Sequence, residues 1–116
     1  MTTNNTTQGN PFHFIPNLVD ENLDIPTNSI LSRTIYSDPQ IKVILFGFAA
    51  GQELSEHTAS VPAILHILSG DIKLTLGDQT FSAQAGAWAH MDAKLPHSVL
   101  AKSQAQMLLV MLLSAP

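Results

Sequence analysis

The sequence predicts an all-β fold, a sandwich or closed barrel of about eight strands preceded by an N-terminal arm. Three observations predict it. From residue 30 onward, short apolar runs are split by turn residues about every 8–12 positions. No stretch carries the apolar period of an amphipathic helix. The most apolar runs, at 43–48, 63–68 and 107–113, are apolar at both parities, which is the pattern of strands covered on both faces.

Residues 1–10 are Met, Thr, Asn, Gln and Gly with almost nothing to bury, and are expected to form a disordered tail. Residues 11–30 space isolated apolar anchors (Phe12, Phe14, Ile15, Leu18, Leu23, Ile25) between Pro11, Pro16 and Pro26. Prolines at that spacing stop a long helix, so this segment reads as an arm lying on the barrel or on a partner. The barrel then occupies residues 31–116. SRTIYS (32–37) ends at Asp38-Pro39, and IKVILFGF (41–48) ends at Ala49-Ala50-Gly51. PAILHIL (62–68) runs into Ser69-Gly70-Asp71. DIKLTL (71–76) alternates cleanly up to Gly77-Asp78, a hairpin signal, and QTFSAQ (79–84) follows it to Ala85-Gly86. AWAHM (87–91), HSVLA (97–101) and MLLVMLL (107–113) complete the set.

Composition narrows the function. With 116 residues the chain is one domain's worth. Five Lys and Arg residues, scattered through a chain of net charge −4, cannot neutralise many phosphates, so no nucleic-acid partner is expected. Cysteine is absent, which removes disulfides, thiolate catalysis and Cys-ligated zinc. The first ten residues lack a basic n-region and an apolar h-region, and the longest apolar tract falls short of the ~18 residues of a membrane span. A cytoplasmic protein with no membrane partner is the expectation. Charged residues make up 12%, about half the usual share, so part of the surface is expected to be covered, most simply by a second copy in a homodimer.

Two of the five histidines stand in recognisable frames. Gly51 precedes His57 by six positions and Gly70 follows after a strand; Gly86 precedes His97, with Pro96 directly before it. In these frames the sequence resembles the cupin family, small barrels of the double-stranded β-helix or jelly-roll type. The family's first motif, G-x5-H-x-H-x3,4-E-x6-G, is matched at Gly51, His57 and Gly70, with Ala59 and Ala63 at the second histidine and glutamate positions. The second motif, G-x5-P-x-G-x2-H-x3-N, is matched at Gly86 and His97, with Asp92, Lys94 and Ala101 at the proline, glycine and asparagine positions. The resemblance covers roughly residues 30–114 and implies a jelly-roll barrel that is commonly dimeric.

The resemblance also implies a metal centre of three histidines and a glutamate, of which this chain keeps only His57 and His97. Stable metal sites generally have three or four protein ligands. Glu56 is on the opposite face of a strand from His57, and Glu53, which shares its parity, is ~13 Å away along an extended strand. Asp92 lies in the loop before His97. His90 joins the pair if the Trp88 face of AWAHM looks inward, whereas His66 falls on the outward parity of PAILHIL and His13 lies in the arm. Two readings therefore stand. In one, His57, His97 and His90 hold a divalent transition metal for an enzyme of the dioxygenase or isomerase type. In the other, no cofactor is used, and a small, partly apolar molecule sits among His57, Ala59, Ala63, Leu65, Ile67, Trp88, His90, His97 and Val99 without strong catalysis.

Overall fold

The computed structural model describes residues 11–20 and 23–113, so the expected tail at 1–10 lies outside the described residues. Those residues form nine strands and no helix. The strands are β1 (Ile30–Ser37), β2 (Ile41–Phe48), β3 (Glu53–His57), β4 (Ala63–Ser69), β5 (Asp71–Leu76), β6 (Gln79–Gln84), β7 (Trp88–Met91), β8 (His97–Ala101) and β9 (Ala105–Leu112). They build two antiparallel sheets, ordered β1-β2-β9-β4-β7 and β3-β8-β5-β6. Eight of the strands coincide in place with the apolar runs. The ninth, β3, is ELSEH, a polar segment with one apolar side chain.

Alternation explains which residues fill the space between the sheets. Within β4, Ala63, Leu65 and Ile67 are buried; in β5, Ile72 and Leu74; in β8, His97, Val99 and Ala101. Side chains two apart share one face of a strand, so each run supplies a single inward row. Phe48, Ile67, Ile72, Val99 and Met107 are the largest side chains wholly removed from solvent and form the centre of the core.

The β4–β5 turn depends on Gly70. Its φ is +88°, and a Cβ there would meet the Gln104 carbonyl oxygen and Ala105. The β1–β2 turn is held by Asp38, whose Oδ1 accepts the Gln40 and Ile41 N–H groups at 2.7 and 2.9 Å. Asx turns of this kind let a short carboxylate satisfy the donors that the chain reversal leaves open. The other carboxylate oxygen accepts the Tyr36 hydroxyl at 2.7 Å.

Residues 11–20 and 23–29 run without regular secondary structure. They cross the outer face of the five-stranded sheet. The Gln106 side chain, buried on β9, accepts the Asp20 N–H at 3.0 Å and donates to the Asp20 carbonyl at 2.7 Å. Leu23 and Ile25 lie over Gly47, where any Cβ would strike them. The neighbouring outer-face residues Leu45 and Leu108, paired across β2 and β9, are buried. Apolar content at both parities of β2 and β9 thus has a visible cause on this part of the sheet. Among the described residues, no helix is long and apolar enough to cross a membrane.

Candidate functional site

His57 and His97 come together across β3 and β8. Their backbones are directly paired, and their ring centroids lie 4.3 Å apart with a 56° tilt. A bulge makes this possible. Leu54 pairs with Val99 and His57 with His97, so three residues of β3 span the same interval as two of β8. The extra residue resets the alternation and brings both Leu54 and His57 to the inward side. The parity shared by Glu53 and His57 in the sequence is therefore broken, and Glu53 pairs instead with Leu100, away from the two rings.

Each ring is held by a carbonyl two residues earlier in the chain. His57 Nδ1 lies 2.8 Å from the Ser55 carbonyl and His97 Nδ1 lies 2.8 Å from the Leu95 carbonyl. A carbonyl oxygen only accepts, so both Nδ1 atoms carry the hydrogen, and the Nε2 atom is the one each ring has left to accept with in its neutral form. Neither Nε2 has a hydrogen-bond partner among the described residues. His97 is 6% exposed, whereas His57 stands open to solvent at the barrel mouth. The pair therefore offers two acceptors within reach of one small molecule.

The loop before His97 is pinned from two sides. Its Lys94 N–H donates to the Ala59 carbonyl at 2.7 Å, and the Pro96 carbonyl accepts from the Gly77 N–H at 2.8 Å. Lys94 occupies the second motif's glycine position and takes φ +70°, so the left-handed turn survives without the glycine.

The donor set does not fit the family's four-ligand metal centre. Among the described residues no three His, Cys, Asp or Glu side chains gather at one point. Ala59 is half-buried in the loop after β3, and Ala63 is buried in the core opposite Met91 and Met111, so methyl groups stand where two ligands would. His90 does not supply a third imidazole. Pairing of β7 with β4 sets Ala89 opposite Leu65 and Met91 opposite Ala63, with both packed on the core. Alternation then turns Trp88 and His90 to the other face, opposite His66 and Ile64, where both are exposed. The condition on which His90 would join the pair, an inward Trp88 face, is therefore not met, and His90 as a third ligand is corrected on this ground. His66 lies on this same outer face, and His13, in the arm, rests against Tyr36 with ring centroids 5.2 Å apart.

A separate apolar cleft of about 270 Å³ opens between the sheets at their β6 and β7 edges. Leu65, Ile67, Ala87 and Ala89 form one wall; Leu74, Leu76 and Ala83 form the other. Phe81, Ser82 and Trp88 complete the lining, Trp88 from the β7 edge of its sheet. Leu76 pairs directly with His97, so the cleft wall and the histidine pair are on adjacent strands. The expected pocket residues thus divide. Leu65, Ile67 and Trp88 line the cleft, His57 and His97 form the pair, Ala63 and Val99 are core, and Ala59 and His90 join neither. The β5, β6 and alanine contributions were not assigned from sequence, although the alternation in DIKLTL and QTFSAQ already puts Leu74, Leu76, Phe81 and Ala83 on inward rows.

Comparison with known proteins places these features. Among solved structures, a cupin superfamily protein from Desulfitobacterium hafniense is 24% identical, with a TM-score of 0.74 over 79% of this chain and 84% of that one. A conserved protein of unknown function from Streptococcus pyogenes is 29% identical, with a TM-score of 0.72 over 92% of this chain and all of that one (100%). An RmlC-like cupin from Desulfovibrio desulfuricans is 22% identical, with a TM-score of 0.76 over 86% and 97% of the two chains. No curated protein matches. The sequence profile of the cupin domain matches residues 44–113, the stretch that carries both histidines, both motif frames and every residue of the cleft, and the chain belongs to the cupin family.

Proposed function

We propose that this cupin binds a small, partly apolar molecule without a resident metal, with the ligand's apolar body in the cleft and its polar end toward the His57–His97 pair. The observation that carries the reading is the cleft itself: some 270 Å³ of apolar wall beside two imidazoles whose Nε2 atoms are free to accept. A mostly apolar concavity with a few polar groups nearby has the make-up of a small-molecule site. No group in it is assigned a catalytic role.

Thermal-shift and calorimetric screening of small molecules, run beside elemental analysis of protein purified without chelators, tests this. The expected result is binders whose affinity falls at least ~10-fold in a His57→Ala/His97→Ala variant, the loss of one or two hydrogen bonds, with metal content below ~0.1 per chain after excess divalent ion is added and dialysed away. Stoichiometric uptake of iron or nickel, lost in His57→Ala, would replace this reading with the metal-enzyme one.

We propose also that the protein is a homodimer. Support comes from Phe12 and Phe14 of the arm, 73% and 77% exposed, and from the uncharged outer-face residues Ile64, Trp88 and Val110. A second copy packed on this side would take these side chains out of water. Sedimentation at micromolar concentration should give a dimer; a monomer there removes the proposal.

A further inference from the structure

The outer face of the five-stranded sheet has two unlike halves. Over β1, β2 and the start of β9 lies the arm: His13 rests on Tyr36, Leu23 and Ile25 lie over Gly47, and Asp20 is bonded to the Gln106 side chain. Between the arm and the sheet runs a groove of about 490 Å³, lined among others by Phe12, Phe14, Ile41 and Val43. The other half is open. On β7 Trp88 and His90 are exposed, and on β4 Ile64 and His66 are only half-buried. Strand pairing joins the halves into one surface. Val43 pairs with Val110, Val110 with Ile64, and Ile64 with His90, while His66 pairs with Trp88 in the neighbouring row.

A face raised by an arm at one end and low at the other fits its own image turned through 180°. A two-fold axis along the strands, between β9 and β4, carries β7 of one copy over β2 of the other, because β2 and β7 are three strand spacings apart, about 14 Å. Such a contact is isologous and is made twice. Charge permits it. Neither Pro11–Val19 nor the outward rows of β4, β7 and β9 contain Asp, Glu, Lys or Arg, although the chain has nine acidic and five basic residues. Two copies pairing here strip no charge of its water, whereas a charged partner would find no counter-charge.

We infer that two copies pair through this face, the arm of each lying on the open β4–β7 half of the other, with Trp88 seated in the groove beside the partner's Phe12 and the partner's Phe14. The inference rests on the homodimer reading and adds the surface and its pairing. Phe12, Phe14 and Trp88, which are 73%, 77% and 62% exposed, become the aromatic anchors of the interface. Trp88 is the only tryptophan in the chain, so its emission reports on this contact.

Sedimentation and tryptophan emission of the full chain, from nanomolar to tens of micromolar, test it. The parent should be a dimer at the upper end, and its emission should move to longer wavelength as dilution separates the copies. Trp88→Asp and Phe14→Lys, both at exposed positions, should each weaken self-association at least ~30-fold, the loss of a central anchor. Gln84→Lys, at an exposed position of the four-stranded sheet, should leave it unchanged. An equimolar mixture of the Trp88→Asp and Phe14→Lys chains should recover a dimer. One of its two contacts then sets the new carboxylate against the new ammonium, and the other keeps Trp88 on the partner's Phe14.

A parent that is monomeric at tens of micromolar overturns the inference and the homodimer reading together. A parent dimer whose emission does not move on dilution, or one that withstands Trp88→Asp, overturns the inference and leaves a dimer formed through another surface. Two monomeric variants whose mixture stays monomeric overturn the seating of Trp88 against the partner's arm. Should circular dichroism show either variant misfolded, the parent's emission on dilution decides alone.

Discussion

Replacing Gly70 by alanine separates two costs that the fold imposes at one residue. The first is conformational. At φ +88° an L-residue is in the left-handed region, which costs roughly 1–2 kcal/mol. The second is steric. The added Cβ would lie 2.6 Å from the Ala105 Cα and against the Gln104 carbonyl oxygen, both backbone atoms at the start of β9, so relief requires moving the strand. Overpacking of that kind costs roughly 1–3 kcal/mol. The sum, about 2–5 kcal/mol, is a large part of the ~5–15 kcal/mol that stabilises a domain. At roughly 4 °C per kcal/mol for a chain of this length, Tm should fall by about 8–20 °C. Gly51→Ala is the matched control. Its φ is +85° and nothing lies within 4 Å of the added Cβ, so it should show the conformational cost alone, about 4–8 °C. Thermal melts followed by far-ultraviolet circular dichroism measure both. If the two variants melt within ~2 °C of each other, the close approach of the β4–β5 turn to β9 is absent and the reasoning fails.

Other expectations follow from the same structure. Lys94→Gly should stabilise the protein by about 0.5–1 kcal/mol, because it relieves a left-handed lysine at some cost in unfolded-state entropy; urea melts that show no gain or a loss would refute this. His97→Ala should destabilise by roughly 2–4 kcal/mol, since it empties a buried site and unpairs the Leu95 carbonyl, while exposed His57→Ala should stay within about 1 kcal/mol of the parent in the same assay. The Tyr36 hydroxyl, then the Ile41 and Gln40 N–H groups, hold the Asp38 carboxyl below the usual carboxylate range. Its contribution is thus present above the unfolded pKa and lost as pH falls through the lower folded value. The same hydrogen bond raises Tyr36 above its ordinary value of about 10, a contribution present below that pH and lost as pH rises through the raised value. Asp38→Asn should flatten both limbs of a stability–pH profile, and an unchanged acid limb would show that the turn does not couple to protons.

What was legible in the sequence was what depends on local pattern. Strands with apolar alternation, such as DIKLTL, and turns marked by Gly or Asp-Pro announce themselves because burial and backbone constraint act on neighbouring residues. The ELSEH strand did not, because it is an edge strand whose side chains are mostly in water and leave no apolar row to read. Its bulge was equally hidden: an extra residue has no composition signature, yet it decides that His57, and not Glu53, meets His97. The direction of AWAHM was ambiguous for a related reason. Both of its parities carry apolar residues, and only the pairing with β4, a partner some 25 positions earlier in the chain, selects the alanine row for the interior. The cleft needed still more distant information, namely that β6 and β7 end their sheets side by side.

The two motif frames divide along a physical line. Gly51, Gly70 and Gly86 all take positive φ, and Lys94 does so without being glycine, so these positions answer to the backbone path of the barrel whether or not a metal is present. His57 and His97 are also held independently of any metal, each by a hydrogen bond to a carbonyl two residues earlier on its own segment. Ala59 and Ala63 occupy the positions where a second histidine and a glutamate would have had no comparable structural duty: one is a loop residue that contributes its carbonyl, the other a methyl packed between β7 and β9. A charged glutamate at buried Ala63 would be costly without a cation to pair it, on the order of several kcal/mol. The four positions therefore behave as two coupled pairs. Without a cation an acidic side chain at position 63 would be a liability and an apolar group is favoured, while the two imidazoles keep their places through their own carbonyl contacts.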